Sequence, residues 1–198
     1  MNEVKKNIVL KAQSLFYRYG IRNVSMDDLA KGLPVSKKTI YEHFPDKSSL
    51  IRAVVERFIE NNKSILFHCS KASSNAVEEV LMQVEDSFTK LVEINYSFFY
   101  ELERSFPDAW QLLVKYRDQT LLPLIISNLR RGIGEGMFRK DLTLQFTAEI
   151  RLLQMSTAIN PGNFTEQKYS VHQLMREFTV FYLHGITTTK GKQLIDHY

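Results

Sequence analysis

Apolar residues recur at helical spacing through Ile8, Ala12, Leu15, Phe16 and Tyr19 and stop at Gly20, which predicts an amphipathic helix with one stripe turned to a core. Gly20 followed by Ile21 has the form of a Schellman end, in which a left-handed glycine closes the helix and the next apolar residue folds back. Ser25 then stands as a helix cap, with Asp28 placed to reach back to the cap's amide and Val24 and Leu29 at the positions of a hydrophobic staple. Eleven residues later the arrangement returns, with Ser36 as cap and Val35 and Ile40 as staple, so a second short helix is expected from Lys37 to His43. Gly32 is expected to end the first of these helices near Lys31 with a positive φ, and Pro34 cannot continue one. Two helices joined so closely cross steeply, as in a helix-turn-helix.

On the second helix Ile40 and Phe44 point inward, leaving Lys37, Lys38, Tyr41 and Glu42 outward. Asp46 caps the next helix, and Lys47, Ser48 and Ser49 in its first turn have the donors of a phosphate clamp. Lysines alone would be read as a solvated face; caps and spacing together make this a unit shaped to enter a DNA groove.

A long helix follows to about Cys69, with Leu50, Val54, Phe58, Ile65 and Leu66 inward, and another amphipathic stretch over 75–95 carries Val77, Val80, Leu81, Val84, Phe88, Leu91 and Val92. Aromatic density then rises: Tyr96, Phe98, Phe99, Tyr100, Phe106 and Trp110 lie beside Glu101, Glu103 and Arg104, and Pro107 breaks the helix among them. Such a cluster either fills a bundle core or lines a pocket for an apolar or aromatic small molecule; the pocket set is Phe88, Phe99, Glu103, Arg104 and Trp110. Pro123 either kinks the next helix or starts it. RRGIGEGMFRKDL reads as a helix stop, a loop and a new cap at Asp141; a phosphate-cradling loop is rejected because neither a strand before it nor a Gly-Lys-Ser/Thr after it is present. The helix from Leu142 to Ile159 is apolar around too much of its circumference for one wet face and must be buried on two sides. After the turn NPGN, a last long helix runs through Val171, Leu174, Met175, Phe178, Tyr182 and Ile186. Two such helices from each of two chains would form a four-helix, two-fold interface, for which Phe146, Ile150, Leu153, Phe178, Phe181, Tyr182 and Gly185 are the candidates.

The chain has 198 residues, of which 44% are hydrophobic, enough for one sizeable core or two small domains sharing a connecting helix. No apolar run reaches the roughly 18 residues of a membrane span, and the charged N-terminal helix lacks the pattern of a signal peptide, so a cytoplasmic protein without a membrane partner is expected. Residues 1–60 hold eleven Lys and Arg against seven Asp and Glu, which accounts for the whole net charge of +4. That concentration on the helix-turn-helix favours nucleic acid over a membrane surface as the partner. A single cysteine, Cys69, excludes an internal disulfide. Glu-x-x-His pairs for a di-metal bundle are absent, His68 and Cys69 are adjacent rather than one turn apart, and His172, His184 and His197 lack a partner at ligand spacing. No catalytic residue, metal site or cofactor is therefore expected.

Gly20, Ser25, Leu29-Ala30, Val35-Ser36, Thr39-Ile40-Tyr41, Phe44, Lys47 and Leu50, in that order, resemble the N-terminal DNA-binding domain of TetR-family transcriptional regulators over about residues 4–58. The resemblance implies an all-α fold: an N-terminal three-helix helix-turn-helix DNA-binding domain, residues 1–47, joined to a C-terminal helical ligand-binding and dimerisation bundle, residues 48–198, with helix 48–69 connecting them. It implies a homodimeric regulator, a repressor released from a pseudo-palindromic double-stranded operator by a small-molecule effector. DNA contacts would come from Ser25, Ser36, Lys37, Lys38, Thr39, Tyr41, His43 and Lys47. A basic DNA-binding module without ligand response, and an all-helical enzyme, are the other readings. The chain departs from the family pattern at Pro34, where glycine usually precedes the recognition helix; proline fixes φ and removes a donor, so the turning falls to Gly32.

Overall fold

The computed structural model describes residues 3–91, 94–95, 97–159 and 169–195, the side chains of 87–91 excepted. All of the named elements are helices, and the described residues contain one isolated bridge, Phe138 to Thr187, and no strand. The chain divides into two compact units, one of residues 1–61 and 93–114 and one of residues 62–92 and 115–198.

The first unit holds α1 (Glu3–Tyr19), α2 (Met26–Lys31), α3 (Lys37–His43), the start of α4 (Lys47–Ala72), α6 (Ser97–Ser105) and most of α7 (Pro107–Tyr116). Its core is built from Ile8, Ala12, Phe16, Ile21, Leu29, Ile40, Leu50, Ile51 and Val54, all fully buried. Each large aliphatic or aromatic side chain hidden this way contributes roughly 1.5–3 kcal/mol. The stripe on α1 is rotated from its expected line: Val9 and Tyr17 are buried, whereas Tyr19 is exposed and Leu15 only half-buried. The rotation follows from α6, which lays Phe98 edge-on against Tyr17 at 5.0 Å and sets Phe99 edge-to-face with both Phe98 and Phe58. Pro107 opens α7, whose first bond runs from the Trp110 amide to the Phe106 carbonyl, so the expected break between α6 and α7 is present.

The second unit holds the rest of α4, α5 (Ala76–Leu91), α8 (Leu122–Gly134), α9 (Leu144–Ile159), α10 (Val171–Ile186) and α11 (Thr189–Ile195). Helix α10 packs on α5, α9 and α11, and α8 on α5 and α9, around Val77, Val80, Leu81, Leu129, Phe138, Tyr182 and Leu183. Before α8 the ladder opens into one π turn, Arg117–Leu121, closed by a bond from the Leu122 amide to the Arg117 carbonyl. Pro123, the second residue of α8, follows directly on this π turn and has no N–H to give the ladder. Gly132 is required by close approach, since a Cβ there would stand 2.0 Å from the Phe138 ring, and Gly136 turns the chain with φ +70°. Asp141 is not the cap of the next helix: it pairs with Arg139, and α9 starts two residues later than expected, with the Thr143 carbonyl taking the first bond from Thr147. The NPGN turn lies outside the described residues, while α10 begins as expected, with Ser170 and Gln173 forming a capping box. Helix α11 is a finding that the sequence pattern did not suggest, being seven residues with only two large apolar side chains.

Candidate nucleic-acid interface

Local bonding builds the α2–α3 unit. The Asp28 amide donates to Ser25 Oγ at 3.1 Å and the Ser25 amide donates to Asp28 Oδ2 at 3.0 Å, so the capping box closes in both directions. Hydrogen bonds from Ser25, with Lys31 adding to them, hold the Asp28 carboxyl down at about 2. Ser36 caps α3 by accepting from the Thr39 amide at 3.1 Å, and its hydroxyl lies 2.9 Å from that of Thr39. Asp46 caps α4 through the Ser49 amide at 2.7 Å.

Helix α2 ends at Lys31 as expected, but Gly32 has φ −108°, not a positive value. The end of the Lys11 side chain lies 2.4 Å from where a Cβ would stand, but that flexible end can move aside, so neither handedness nor close packing demands glycine at this position. The turn is carried by bonds from the Gly32 and Leu33 amides back to Leu29 and Ala30, and Pro34 lies in the open stretch before Ser36, where no amide is required of it.

Ile40 is fully buried and Phe44 nearly so, which leaves Lys37, Lys38, Tyr41 and Glu42 exposed along one face of α3. Lys37 reaches back to Asp27 on α2 at 2.6 Å, and that hydrogen bond raises the pKa of its ammonium. Lys38 is 87% exposed, with only a 4.0 Å approach to Glu42. Tyr41 is 40% exposed beneath the Lys37 ammonium, 5.9 Å from its ring centre, and His43 is half-buried at the helix end. Lys47 sits differently from the other basic residues: it is half-buried, and its Nζ donates to the Ile21 carbonyl at 2.6 Å. Burial lowers its pKa, an effect that the nearby Glu101 and Asp28 charges partly oppose.

Sequence reasoning missed Glu101 as a structural group. From α6 its Oε2 accepts the amides of Ile21 at 2.6 Å and Arg22 at 2.9 Å, while the Arg22 guanidinium donates to Ser105 at 3.0 Å. Gly20, at φ +81°, lets the chain turn against this carboxylate, since a Cβ would come within 3.3 Å of Glu101 and 2.7 Å of Ser97. A lone glutamate in an aromatic stretch gives no sequence signal for such a partner eighty residues away.

Comparison with known proteins rests on the same region. The profile described as bacterial regulatory proteins, tetR family, matches residues 8–54, from α1 into α4. Over these residues the chain is similar to the TetR family. Over 109 residues it is 33% identical to the uncharacterized HTH-type transcriptional regulator YvaF of Bacillus subtilis, a match covering 54% of this chain and 57% of that protein. Over 83 residues it is 29% identical to the HTH-type transcriptional repressor ComR of Escherichia coli, covering 40% of each. The chain thus spans about half the length of these relatives. In fold, the chain is similar to a TetR-family regulator from Agrobacterium tumefaciens, with TM-score 0.74 at 20% identity over 93% of this chain and 97% of that one. It is also similar to a regulator from Saccharomonospora viridis solved with choline, with TM-score 0.73 at 22% identity over 95% and 100%. These relatives and neighbours are transcriptional regulators, not enzymes.

The remaining expected residues are placed as follows. Phe99 is buried in the first unit, whereas Glu103 and Arg104 are exposed and Trp110 is half-buried. Arg104 donates to the Tyr100 hydroxyl at 2.7 Å on the surface, so α6 turns Glu101, and neither Glu103 nor Arg104, into the fold. The Phe88 side chain lies outside the described residues. Phe146, Ile150 and Leu153 on α9 and Phe181 on α10 are exposed by 63%, 38%, 61% and 75%, Gly185 is open with nothing near it, and Phe178 is half-buried. Tyr182 departs from the set: it is 5% exposed and belongs to the bundle's interior.

Two outcomes follow from the head. Replacing Glu101 by Ala leaves two amides without acceptors and is expected to cost about 2–4 kcal/mol in urea unfolding, with Glu101→Gln losing less because it keeps one acceptor oxygen. The Asp28 carboxyl has a folded pKa of about 2 against an ordinary 3.8, so its stabilisation is present above pH 4 and lost as pH falls toward 2. The stability difference between wild type and Asp28→Asn, measured across pH 2–6, should shrink over that window.

Proposed function

We propose that this chain is a DNA-binding transcriptional repressor that reads a pseudo-palindromic operator as a homodimer and is released by a small-molecule effector. The observation that carries the DNA reading is the outer face of α3: a Ser-capped helix presenting Lys37, Lys38 and Tyr41 while Ile40 and Phe44 anchor its back. A cationic helix face of this kind supplies phosphate contacts and reaches base edges in the major groove. Lys38 is the most open of these cations, and the Lys37–Asp27 pair is exposed on both sides, 55% and 59%, so a phosphate can displace the aspartate at little cost. Ser25, Ser36 and Thr39 act through the caps that aim the helices, and Tyr41 and His43 flank the reading face.

The dimer reading is supported by the apolar side chains that α9 and α10 leave in solvent, Phe146, Ile150, Leu153 and Phe181, with Gly185 open to close approach of a second helix. Exposed aromatic and aliphatic groups concentrated on two neighbouring helices are characteristic of an interface. The effector reading is supported by the similarly folded Saccharomonospora viridis regulator, which was solved with choline. An effector that prefers a body shape with the two heads wrongly spaced weakens DNA binding by its differential affinity.

Site selection from random DNA should return an inverted repeat with half-sites roughly 34–36 Å apart or a multiple of it. On that site the logarithm of affinity should fall with log salt at a slope of roughly −5 to −7, as expected for six to eight phosphates. Lys38→Ala and Tyr41→Ala should each weaken binding about ten-fold or more; wild-type affinity in both would remove α3 as the reading element. Phe181→Asp places a carboxylate in the proposed dimer face and should weaken self-association by about a hundred-fold or more in sedimentation equilibrium, while leaving the helical spectrum unchanged.

A further inference from the structure

Helix α9 turns Phe146, Ile150 and Leu153 outward and an arginine inward. Arg151 is only 5% exposed, whereas Ile150 and Leu153 beside it face solvent. Its Nη2 donates to the Thr179 hydroxyl on α10 at 2.7 Å, and that hydroxyl in turn donates to the Met175 carbonyl at 2.7 Å. Thr179 is therefore locked as an acceptor toward the guanidinium, and the cation is held with its carbon 5.1 Å from the centre of the Tyr182 ring.

This anchoring leaves a deficit. Arg151 Nη1 and the Tyr182 hydroxyl are both buried and make no hydrogen bond among the described residues, and Gln154 Oε1, one turn along α9, is in the same condition. Burial lowers the Arg151 pKa to about 10 and raises that of Tyr182 to about 12, so at neutral pH the first is a cation and the second a proton donor. No carboxylate among the described residues serves them. The buried Glu79 is taken by Arg131 at 3.0 Å, the thiol of Cys69 lies 3.7 Å from Asp86, and Glu149 and Glu177 are exposed on the outer sides of α9 and α10. The residues clustered about Tyr182 are apolar: Val77, Val80, Leu81, Leu129, Ala148 and Leu183 among them. A buried guanidinium without a counter-charge is costly, and proteins ordinarily supply a paired carboxylate on another side chain.

We propose that Arg151, positioned by Thr179, and Tyr182 form the head-group site for a small organic carboxylate with an apolar remainder. One carboxylate oxygen accepts from Arg151 Nη1 and the other from the Tyr182 hydroxyl, and the body of the ligand lies against the apolar residues around that ring. A monoanion is the matching charge, because among the described residues Arg151 is the buried guanidinium without a carboxylate, and the partly buried Arg131 already has Glu79 and Glu135. A phosphate dianion would need a second cation. The inference deepens the effector part of the proposed function, and rests on that reading only for the effect on DNA.

The test uses the full chain with acetate and octanoate as anionic probes, against chloride and octan-1-ol at matched ionic strength. Calorimetric titration and thermal unfolding should show octanoate binding and stabilising the wild type, acetate doing so more weakly, and octan-1-ol and chloride having little effect. Tyr182→Phe should weaken octanoate binding several-fold and Arg151→Met by about ten-fold or more. Arg151→Met should also unfold at a temperature equal to or above that of the wild type without ligand, because it removes an unpaired buried charge, where an arginine serving only as a strut would lower it. The proposal is overturned if the wild type does not prefer octanoate to octan-1-ol, or if Tyr182→Phe binds octanoate as tightly as the wild type. Operator affinity is followed in parallel. Octanoate that binds through Arg151 without changing operator affinity supports this site and removes effector control from the function proposed above; operator binding that persists while no carboxylate binds removes this site alone.

Discussion

The backbone of a single residue, Ile21, carries the geometry of the DNA-reading head. Its amide is taken by the Glu101 carboxylate from α6 and its carbonyl by the Lys47 ammonium from α4. The buried Ile21 side chain fixes the same point from below. A turn between two helices leaves polar backbone groups that must be satisfied, and here opposite charges from two further helices satisfy the donor and the acceptor of one residue, on two successive peptides. Gly20 makes the arrangement possible, since only a residue without a Cβ fits a φ of +81° beneath Ser97 and Glu101. The cap of α2, Ser25, stands four residues after Ile21, so an error in this turn would propagate directly into the direction of α2 and α3.

Much of this was legible in the chain. Local signals that act over three or four residues, the Ser25 and Ser36 caps, the Val24 and Ile40 anchors and the Gly20 stop, correspond to observed bonds and burial because their physics is local. Gly32 shows the limit of reading residue type: a positive φ was expected of it, and the helix instead ends there at φ −108°, a conformation open to any residue. Glu101 and Lys47 lie further beyond reach, since each acts on Ile21 from a distant part of the chain. Lys47 reads from sequence as a surface cation, and only the fold reveals that its ammonium is committed to the turn.

The bundle of the second unit illustrates a different limit. Apolar residues around most of α9 predicted burial on two sides, and within one chain one of those sides faces solvent while the side packed on α8 and α10 carries Ala148, Arg151 and Ala158. Periodicity counts apolar positions but does not say which chain covers them. It also gives no warning of a buried arginine, because Arg151 falls among apolar residues in a helix whose polar and apolar positions are poorly segregated. Tyr182 was misjudged for the same reason: it shares a helix with Phe181, yet one residue's step is about 100° of rotation and places the two on different sides of α10.

Asp27 gives the reading face a property that neither helix has alone. By holding Lys37 at 2.6 Å it acts as a tethered stand-in for a phosphate, occupying the ammonium whenever nucleic acid is absent. In the DNA complex proposed above, a cation with such a resident partner would enter by exchange, not by shedding a dissolved ion, and its contact would add less to the gain from released counterions than that of the open Lys38. The helix face thus carries two lysines of unequal commitment, Lys38 open to solvent and Lys37 in a weak, exposed pair with Asp27.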